Sequence, residues 1–141
     1  MALKVTKAEM WSVGIDDQAG GALAKIDPVA KAGGNFEFVF ARRTPEQPGR
    51  GLAFVAPVKG SKVVKAATAA GFEKPADIQG LRIEGADKPG MGAKIMKALA
   101  DAGISFRAIS ASAIGRKFIC YVALDKPEDV AKASAVLKKL G

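Results

Sequence analysis

The sequence predicts an α+β protein built from two copies of one unit, each reading strand, helix, strand, strand, helix. Three observations support this. Apolar residues alternate with period two in some segments and recur every three or four residues in others. Hydrophobic residues make up 49 % of the 141 residues, which is enough for a folded core. The pattern of the first half recurs in the second at a constant spacing.

The repeat is visible residue by residue at a shift of 70 positions. It aligns Asp17 with Asp87, Gly20 with Gly90, Ala30 with Ala100, Gly33 with Gly103 and Phe36 with Phe106. Because the series has no gap and follows one pattern of elements, we interpret it as an internal duplication. We therefore expect a first module in residues 1–75 and a second in residues 76–141.

The first module begins with a strand in which Trp11, Val13 and Ile15 alternate. A helical stripe of Leu23, Ile26 and Ala30 follows, and Pro28 inside it predicts a kink or a split at Asp27. The remaining predicted elements are a strand with Phe36, Phe38 and Phe40, a long turn over 43–50, a strand with Leu52, Phe54 and Ala56, and a helix that Ser61 caps and that ends near Gly71.

The second module repeats this order, with a strand containing Leu81 and Ile83. Its first helix is predicted to bury Ile95, Met96, Leu99 and Ala102. The next strand starts at Ile104 and changes phase at Ile109, which indicates a β-bulge, and Gly115-Arg116 forms a tight turn. The last elements are a strand with Phe118, Cys120, Val122 and Leu124, and a helix with Val130, Ala133, Leu137 and Leu140.

This order of elements predicts two ferredoxin-like βαββαβ modules, with their helices on one face of the sheets. Each module then needs a fourth strand. The first has room for a short one near 72–76, but the second has no candidate after its last helix. Leu3 and Val5 alternate with Lys4, so we expect residues 1–7 to complete the sheet of the second module.

Composition argues against several functional classes. The chain has no histidine, and the single cysteine, Cys120, alternates with apolar neighbours as a core residue does, so we expect no enzyme and no disulfide. Its carboxylates lack the spacing of a metal loop, so no metal or cofactor is expected. No apolar run reaches the about 20 residues of a membrane helix, and no signal peptide is evident. We predict a cytoplasmic protein that does not bind membranes.

The net charge of +8 leaves one alternative function open, because basic surfaces attract nucleic acid. Each half has 11 basic and 7 acidic residues, so each has a charge of +4, and neither half is a basic arm. Residues 50–55 (RGLAFV) partly match an RNA-binding strand, but Leu52 stands where that motif has an aromatic residue. An RNA-binding ferredoxin-like protein is therefore the alternative, and nucleic acid is not the expected partner.

The turn between the first strand and the first helix of each module is the candidate site. In the second module Asp87 is predicted to cap the helix, Pro89 to occupy an early helical position and Gly90 to allow a tight turn. Such a turn exposes backbone N–H groups that bind a carboxylate or phosphate. Asp125-Lys126-Pro127 repeats its first three residues without the glycine, so it needs only a helix cap.

These residues resemble the ACT domain, a small regulatory module. The resemblance rests on residues 84–95 (EGADKPGMGAKI) with 99–105 (LADAGIS), and more weakly on 14–24 (GIDDQAGGALA) with 32–36 (AGGNF). It implies a tandem ACT protein that binds small ligands, mostly amino acids, at an interface between modules, for allosteric regulation.

The resemblance also implies the ligand-binding residues, which are Asp17, Gln18, Ala19, Gly20 and Asn35 in the first module and Asp87, Lys88, Pro89, Gly90 and Met91 in the second. Backbone N–H groups of the turn would bind the ligand carboxylate, and carbonyls or Asn35 its ammonium. Two departures distinguish the sites, because Ser105 stands where the family has Asn and Gln18-Ala19 replaces Lys-Pro. We expect the modules side by side, a homodimer formed through the bare sheet face that bears Trp11 or the phenylalanines, and a regulated enzyme as a further partner.

Overall fold

The computed structural model of the protein describes residues 3–140, so Met1, Ala2 and Gly141, and with them the start of the predicted N-terminal strand, lie outside it. The described residues have the predicted α+β architecture. In chain order the elements are β1 (Lys4–Lys7), β2 (Trp11–Asp16), α1 (Gly21–Lys31), β3 (Phe38–Arg43), β4 (Arg50–Ala56), α2 (Ser61–Ala69), β5 (Gln79–Ala86), α3 (Met91–Asp101), β6 (Phe106–Ile114), β7 (Lys117–Leu124) and α4 (Pro127–Lys138).

The chain divides into two compact units. The first unit is Glu9–Pro75, and the second combines the chain up to Ala8 with the chain from Ala76 onward. Strands in the first unit have the order β2-β4-β3, and those in the second have the order β1-β5-β7-β6. All the strand pairs are antiparallel, and each unit has the βαββαβ arrangement. Its hairpin is β3–β4 in the first unit and β6–β7 in the second.

The second unit contains the larger side chains in its core. Leu81 and Ile83 of β5 face Val122 and Cys120 of β7 across the central pair of strands, and all four are buried. Helices α3 and α4 cover this face with Ile95, Leu99, Ala133 and Leu137. β1 pairs with β5 in the fourth position of the sheet, where Val5 lies opposite Ile83 and Leu3 joins the same core.

The first unit has a core of smaller residues. Val13 and Ile15 of β2, together with Ala53 and Val55 of β4, pack under α1 and α2. The fourth strand expected near residues 72–76 is reduced to a single bridge between Ser12 and Glu73, with N–H to O distances of 2.8 Å in both directions. Phe36 precedes β3 and packs on the core.

Helix α1 differs from its prediction in two ways. It runs through Pro28 without a break, because Pro28 lies on the exposed side and the buried Val29 holds the next turn on the sheet. The buried face contains Ala22, Ile26 and Val29, while Leu23 is 65 % exposed and Ala30 is exposed. The rotation of the helix is fixed by Gly21, where a Cβ atom would lie 2.0 Å from the carbonyl oxygen of Asp16.

The buried residues of the second unit agree more closely with the prediction. Ile95, Leu99 and Ala102 of α3 pack on the core as predicted, but Met96 is 43 % exposed and Met91 is buried instead. The register of β6 shifts between Phe106 and Ala108, which confirms the bulge. The last helix buries the predicted residues Val130, Ala133 and Leu137.

The two faces of the first unit's sheet are distinguished by their aromatic residues. Trp11 packs with the core on the helix side, so it is the wrong one of the two alternatives predicted for the bare face. Phe40 lies opposite Phe54, which in turn lies opposite Ser12, and these residues alternate with the buried Ala53 and Val55. The phenylalanine side chains of β3 and β4, rather than the tryptophan, therefore occupy the open face.

Candidate functional site

Each unit contains a sharp bend, which we call the elbow, where its first strand passes into its first helix. The first elbow is Asp17–Gly20 and the second is Asp87–Gly90, and all eight residues are exposed. Each ends in a glycine with positive φ, +82° at Gly20 and +85° at Gly90. Few residues other than glycine adopt this conformation without strain, so the glycines at corresponding positions fix the same bend in both units.

Both helices begin without a side-chain cap, which corrects the prediction for Asp87 and Pro89. The N-cap residues are Gly20 and Gly90, and Pro89 precedes the helix instead of lying in its first turn. Since no carboxylate occupies the helix start, its N–H groups stay available. Ser61 is likewise not a cap, because α2 begins at Ser61 and Gly60 is its N-cap.

The hydrogen bonds of the second elbow leave a defined set of donors unused. The N–H of Asp87 donates to the carbonyl of Arg116 at 2.8 Å, and that of Lys94 donates to the carbonyl of Gly90 at 2.9 Å. Among the described residues, no acceptor faces the N–H groups of Lys88, Gly90, Gly92 and Ala93. They lie at the positive end of the α3 dipole, where an anion is stabilised.

The first elbow has an equivalent set of unused donors. Within residues 3–140 no acceptor faces the N–H groups of Ala19, Gly20, Ala22 and Leu23. It is also attached to the hairpin between β3 and β4. The N–H of Asp17 donates to the carbonyl of Gly49 at 3.0 Å, which corresponds to the bond from Asp87 to Arg116. The shared bond shows that the hairpin supports the elbow in both units.

The two elbows differ in the ion pairs of their charged side chains. Arg43 Nε donates to Asp17 Oδ2 at 2.5 Å, and Arg50 pairs with Asp16 from the same hairpin. The hydrogen bond to Asp17 raises the pKa of Arg43 above its usual value. Neither Asp87 nor Lys88 has an ion pair within the described part of the chain. The ammonium of Lys88 is therefore available to an incoming carboxylate, whereas the carboxylate of the first elbow, Asp17, is already paired with Arg43.

Two of the predicted site residues, Met91 and Asn35, differ from the others in their position. Met91 is 3 % exposed and packs in the core, and its N–H donates to the carbonyl of Lys88 at 3.3 Å. Asn35 follows α1, and the 11-residue helix separates it by about 16 Å from the elbow of its own unit. The structure thus groups Asp87–Met91 in one turn and Asp17–Gly20 in another, and does not bring Asn35 to the latter.

Asn35 instead lines a cavity of about 290 Å³ in the first unit. The other lining residues are Gly33, Gly34, Glu37, Pro57, Lys59 and Val63. Glu37 and Lys59 were not predictable from the sequence, because they lie in different segments and meet only through the tertiary fold. Arg43 and Arg50 were missed for the same reason, since their partners Asp17 and Asp16 are distant in sequence.

The described residues show neither an activated cysteine nor a metal-binding cluster. Burial raises the pKa of the Cys120 thiol to about 11, so it is not ionised at neutral pH. No group of three metal-binding side chains forms within residues 3–140. None of the helices described is both long and apolar enough to cross a membrane.

Solved structures provide the comparison for this fold. The chain is similar to protein BT0572 from Bacteroides thetaiotaomicron, with a TM-score of 0.75 and 15 % identity over 96 % of this chain and 99 % of that one. It is also similar to the regulatory subunit of aspartate kinase from Thermus thermophilus in its ligand-free form, with a TM-score of 0.63 and 20 % identity over 97 % and 93 %. No protein-family model matches the chain, and no curated protein matches it in sequence.

A third structure, of the aspartokinase alpha and beta subunits, matches with a TM-score of 0.66 and 20 % identity over 99 % of this chain and 96 % of that one. The chain has the ACT-domain fold. The match extends over nearly all of each chain, so it covers both βαββαβ units. The elbow is the part of this ACT-like fold at which the sequence resemblance predicts that the ligand binds.

Proposed function

We propose that the protein is a non-catalytic regulator that binds a small ligand, an amino acid, at its ACT elbows. The observation that supports this most directly is the set of exposed backbone N–H groups at each glycine elbow, four of which have no acceptor among the described residues. These groups match a ligand carboxylate in charge and in geometry. The regulatory subunit of aspartate kinase, to which the fold is similar, supports the regulatory role.

The second elbow is proposed as the tighter site. Its Lys88 is free to pair with the ligand carboxylate, whereas the first elbow contains no basic residue and the nearby Arg43 is already paired with Asp17. The other side of each site is proposed to come from another ACT module, which also supplies the contact to the ligand ammonium. A homodimer and a regulated enzyme are parts of the same proposal.

Calorimetric titration with each of the twenty amino acids tests the function. We expect at least one to bind, and the variant Lys88→Gln to bind it about five- to tenfold more weakly because a charge-assisted hydrogen bond is lost. Lys126→Gln is the matched control. Lys126 also stands in an Asp-Lys-Pro sequence before a helix, but that helix begins without the glycine elbow.

The control variant is expected to bind with the affinity of the native chain. No heat and no thermal shift with any amino acid would refute the proposed ligand class. Equal weakening by Lys88→Gln and Lys126→Gln would refute the second elbow as the binding site, because it would reduce the effect to net charge.

A further inference from the structure

The open face of the first unit's sheet contains two aromatic side chains that the elbows do not use. Phe40 of β3 lies directly opposite Phe54 of β4, whose other neighbour is Ser12 of β2. Opposite residues of antiparallel strands have Cβ atoms about 5 Å apart, so the two phenylalanine side chains adjoin each other. Phe40 is 46 % exposed and Phe54 is half-buried. The pair is therefore within reach of another molecule.

The next row of the same face is basic. Leu52 of β4 lies between Gly14 of β2 and Arg42 of β3. A Cβ atom on Gly14 would lie 2.7 Å from Nη2 of Arg50, so this guanidinium occupies the space that a side chain at position 14 would fill. That space is on the open face, because side chains alternate along a strand and the preceding Val13 is buried in the core. Arg42 and Arg50 therefore lie on either side of Leu52, beside the phenylalanines.

The positive charge of this face is only partly neutralised. Asp16 is the one carboxylate among the described residues of β2, β3 and β4 whose side chains alternate onto this face, and it pairs with Nη1 of Arg50. Arg42 has no ion pair within residues 3–140, and its Nη1 donates only to the carbonyl of Arg43, at 3.2 Å. The guanidinium of Arg42 is therefore available to an anion.

An arginine and an aromatic residue also lie side by side on the open face of the second unit's sheet, where Arg82 of β5 is opposite Tyr121 of β7. There Arg82 Nη1 donates to Glu84 Oε2 at 2.7 Å, and its Nε donates to Tyr121 Oη at 3.2 Å. Tyr121 is 5 % exposed. The guanidinium of this row is neutralised and the ring is covered, so the row offers neither group to a ligand.

Phe54 belongs to residues 50–55, the segment that partly matches an RNA-binding strand. In that motif, aromatic side chains on the open face of a sheet stack on RNA bases. Leu52 replaces one of these aromatic residues, which is why the sequence alone does not favour RNA. The strand register, however, brings Phe40 of the neighbouring strand beside Phe54. The second ring is thus supplied by a residue outside the motif.

We propose that the open face of β2, β3 and β4 binds single-stranded RNA, as a further function beside ligand binding at the elbows. Bases stack on Phe40 and Phe54, and the phosphates next to them lie at Arg42 and Arg50. Because every base has a face that can stack, the binding is tolerant of sequence. A second copy of this chain is the competing occupant. It is disfavoured, since an equally basic face would then meet its own positive charge.

Fluorescence anisotropy of a labelled oligouridylate of about ten nucleotides tests this site in the whole chain. Phe40→Leu and Phe54→Leu should each weaken binding about five- to a hundredfold, because leucine keeps an apolar side chain but cannot stack on a base. Phe54→Tyr should bind as the native chain does, since a phenol ring also stacks. Phe106→Leu is the matched control, because Phe106 is 37 % exposed but lies on β6 of the second unit.

The salt dependence of binding tests the phosphate contact. Arg42→Gln should reduce the slope of log affinity against log salt concentration by about 0.7, the value for one phosphate of a single strand. Arg116→Gln should leave the slope unchanged, because Arg116 is exposed in the hairpin of the second unit and away from the phenylalanines in sequence and sheet. An equal change of slope in both variants would overturn the placement of a phosphate at Arg42.

Three other results would overturn the RNA site. The first is native affinity for the oligonucleotide in both Phe40→Leu and Phe54→Leu. The second is equal affinity for duplex RNA of the same length, whose bases are not free to stack on a protein ring. The third is a dimer in sedimentation that Phe40→Leu dissociates, without binding of the oligonucleotide, which would assign the face to a second copy. Lys88→Gln should leave RNA binding unchanged, so failure of the elbow site and failure of this one are distinguishable.

Discussion

At the residue scale, single glycines determine the geometry of the elbows. Gly90 has a φ of +85° and ends the turn, whereas Gly92, two residues later, lies inside α3 with open space around its Cα. A side chain is therefore expected to have opposite effects on stability at the two positions. A Cβ atom strains the backbone at Gly90, while at Gly92 it reduces the conformational freedom of the unfolded chain without a clash.

Substitution by alanine is expected to have opposite effects at these two glycines. Gly90→Ala should lower the free energy of unfolding by about 1–2 kcal/mol, because alanine is strained in the left-handed region. Gly92→Ala should raise it by about 0.5–1 kcal/mol, because alanine favours the helix. Urea denaturation of both variants beside the native chain measures the difference. If Gly90→Ala proved as stable as Gly92→Ala, the bend would not depend on the glycine.

The sequence could predict the glycine of the elbow but not the start of the helix. Asp87 and Pro89 are residue types that commonly begin helices, and pattern alone placed them there. The structure begins the helix at Met91, whose burial in the core fixes the first turn. Local preference was outweighed by a tertiary contact, which single-residue tendencies do not contain.

At the element scale, periodicity predicted which segments are helices and strands better than it predicted which helical faces are buried. Alternation identified β2 and β7, because one face of each is in the core. It failed for α1, where Leu23 is exposed and Ala22 packs inward, because the contact of Gly21 with the end of β2 sets the rotation. The cavity was not predictable at all, since residues 33–37 and 57–63 approach one another only in the folded unit.

Strand β1 belongs to the sheet of the second unit, and truncating the buried Leu3 that precedes it is expected to destabilise that unit. Leu3→Ala should lower the free energy of unfolding by about 2 kcal/mol, because the side chain is 5 % exposed and fills the space beside Gly85. Thr6→Ala, at an exposed position of the same strand, should change it by less than about 0.5 kcal/mol.

Amide hydrogen exchange of β5 and β7 reports the effect, since these strands form the centre of the sheet that β1 extends. Faster exchange in Leu3→Ala and unchanged exchange in Thr6→Ala are expected. Comparable loss of protection in both variants would contradict a specific contribution of the buried Leu3 side chain.

At the scale of the whole molecule, the two units are unequal in their cores. The largest fully buried side chains of the second unit are Leu81, Ile83, Ile95, Leu99, Leu124 and Leu137. Those of the first unit are Val29 and Val55. Burial of apolar area is the main stabilising contribution, so the first unit has less to hold it together. The small cavity near α1 lies in this unit.

We therefore expect the first unit to open more readily. In native-state hydrogen exchange, the amides of Ala53 and Val55 should exchange through an opening of lower free energy than those of Cys120 and Val122. A ligand that binds only the first elbow should reduce this difference, because it stabilises the folded form of the first unit alone. Equal protection of both pairs in the free protein would show that the chain opens as one cooperative unit.

The position of β1 has a consequence for synthesis. Its partner strand β5 lies more than 70 residues later in the chain, and the entire first unit is encoded between them. On the ribosome, β1 must stay unpaired while the first unit emerges and folds, and it docks only after β5 has left the exit tunnel. A nascent chain halted soon after Pro75 should accordingly contain a folded first unit and a free leading segment.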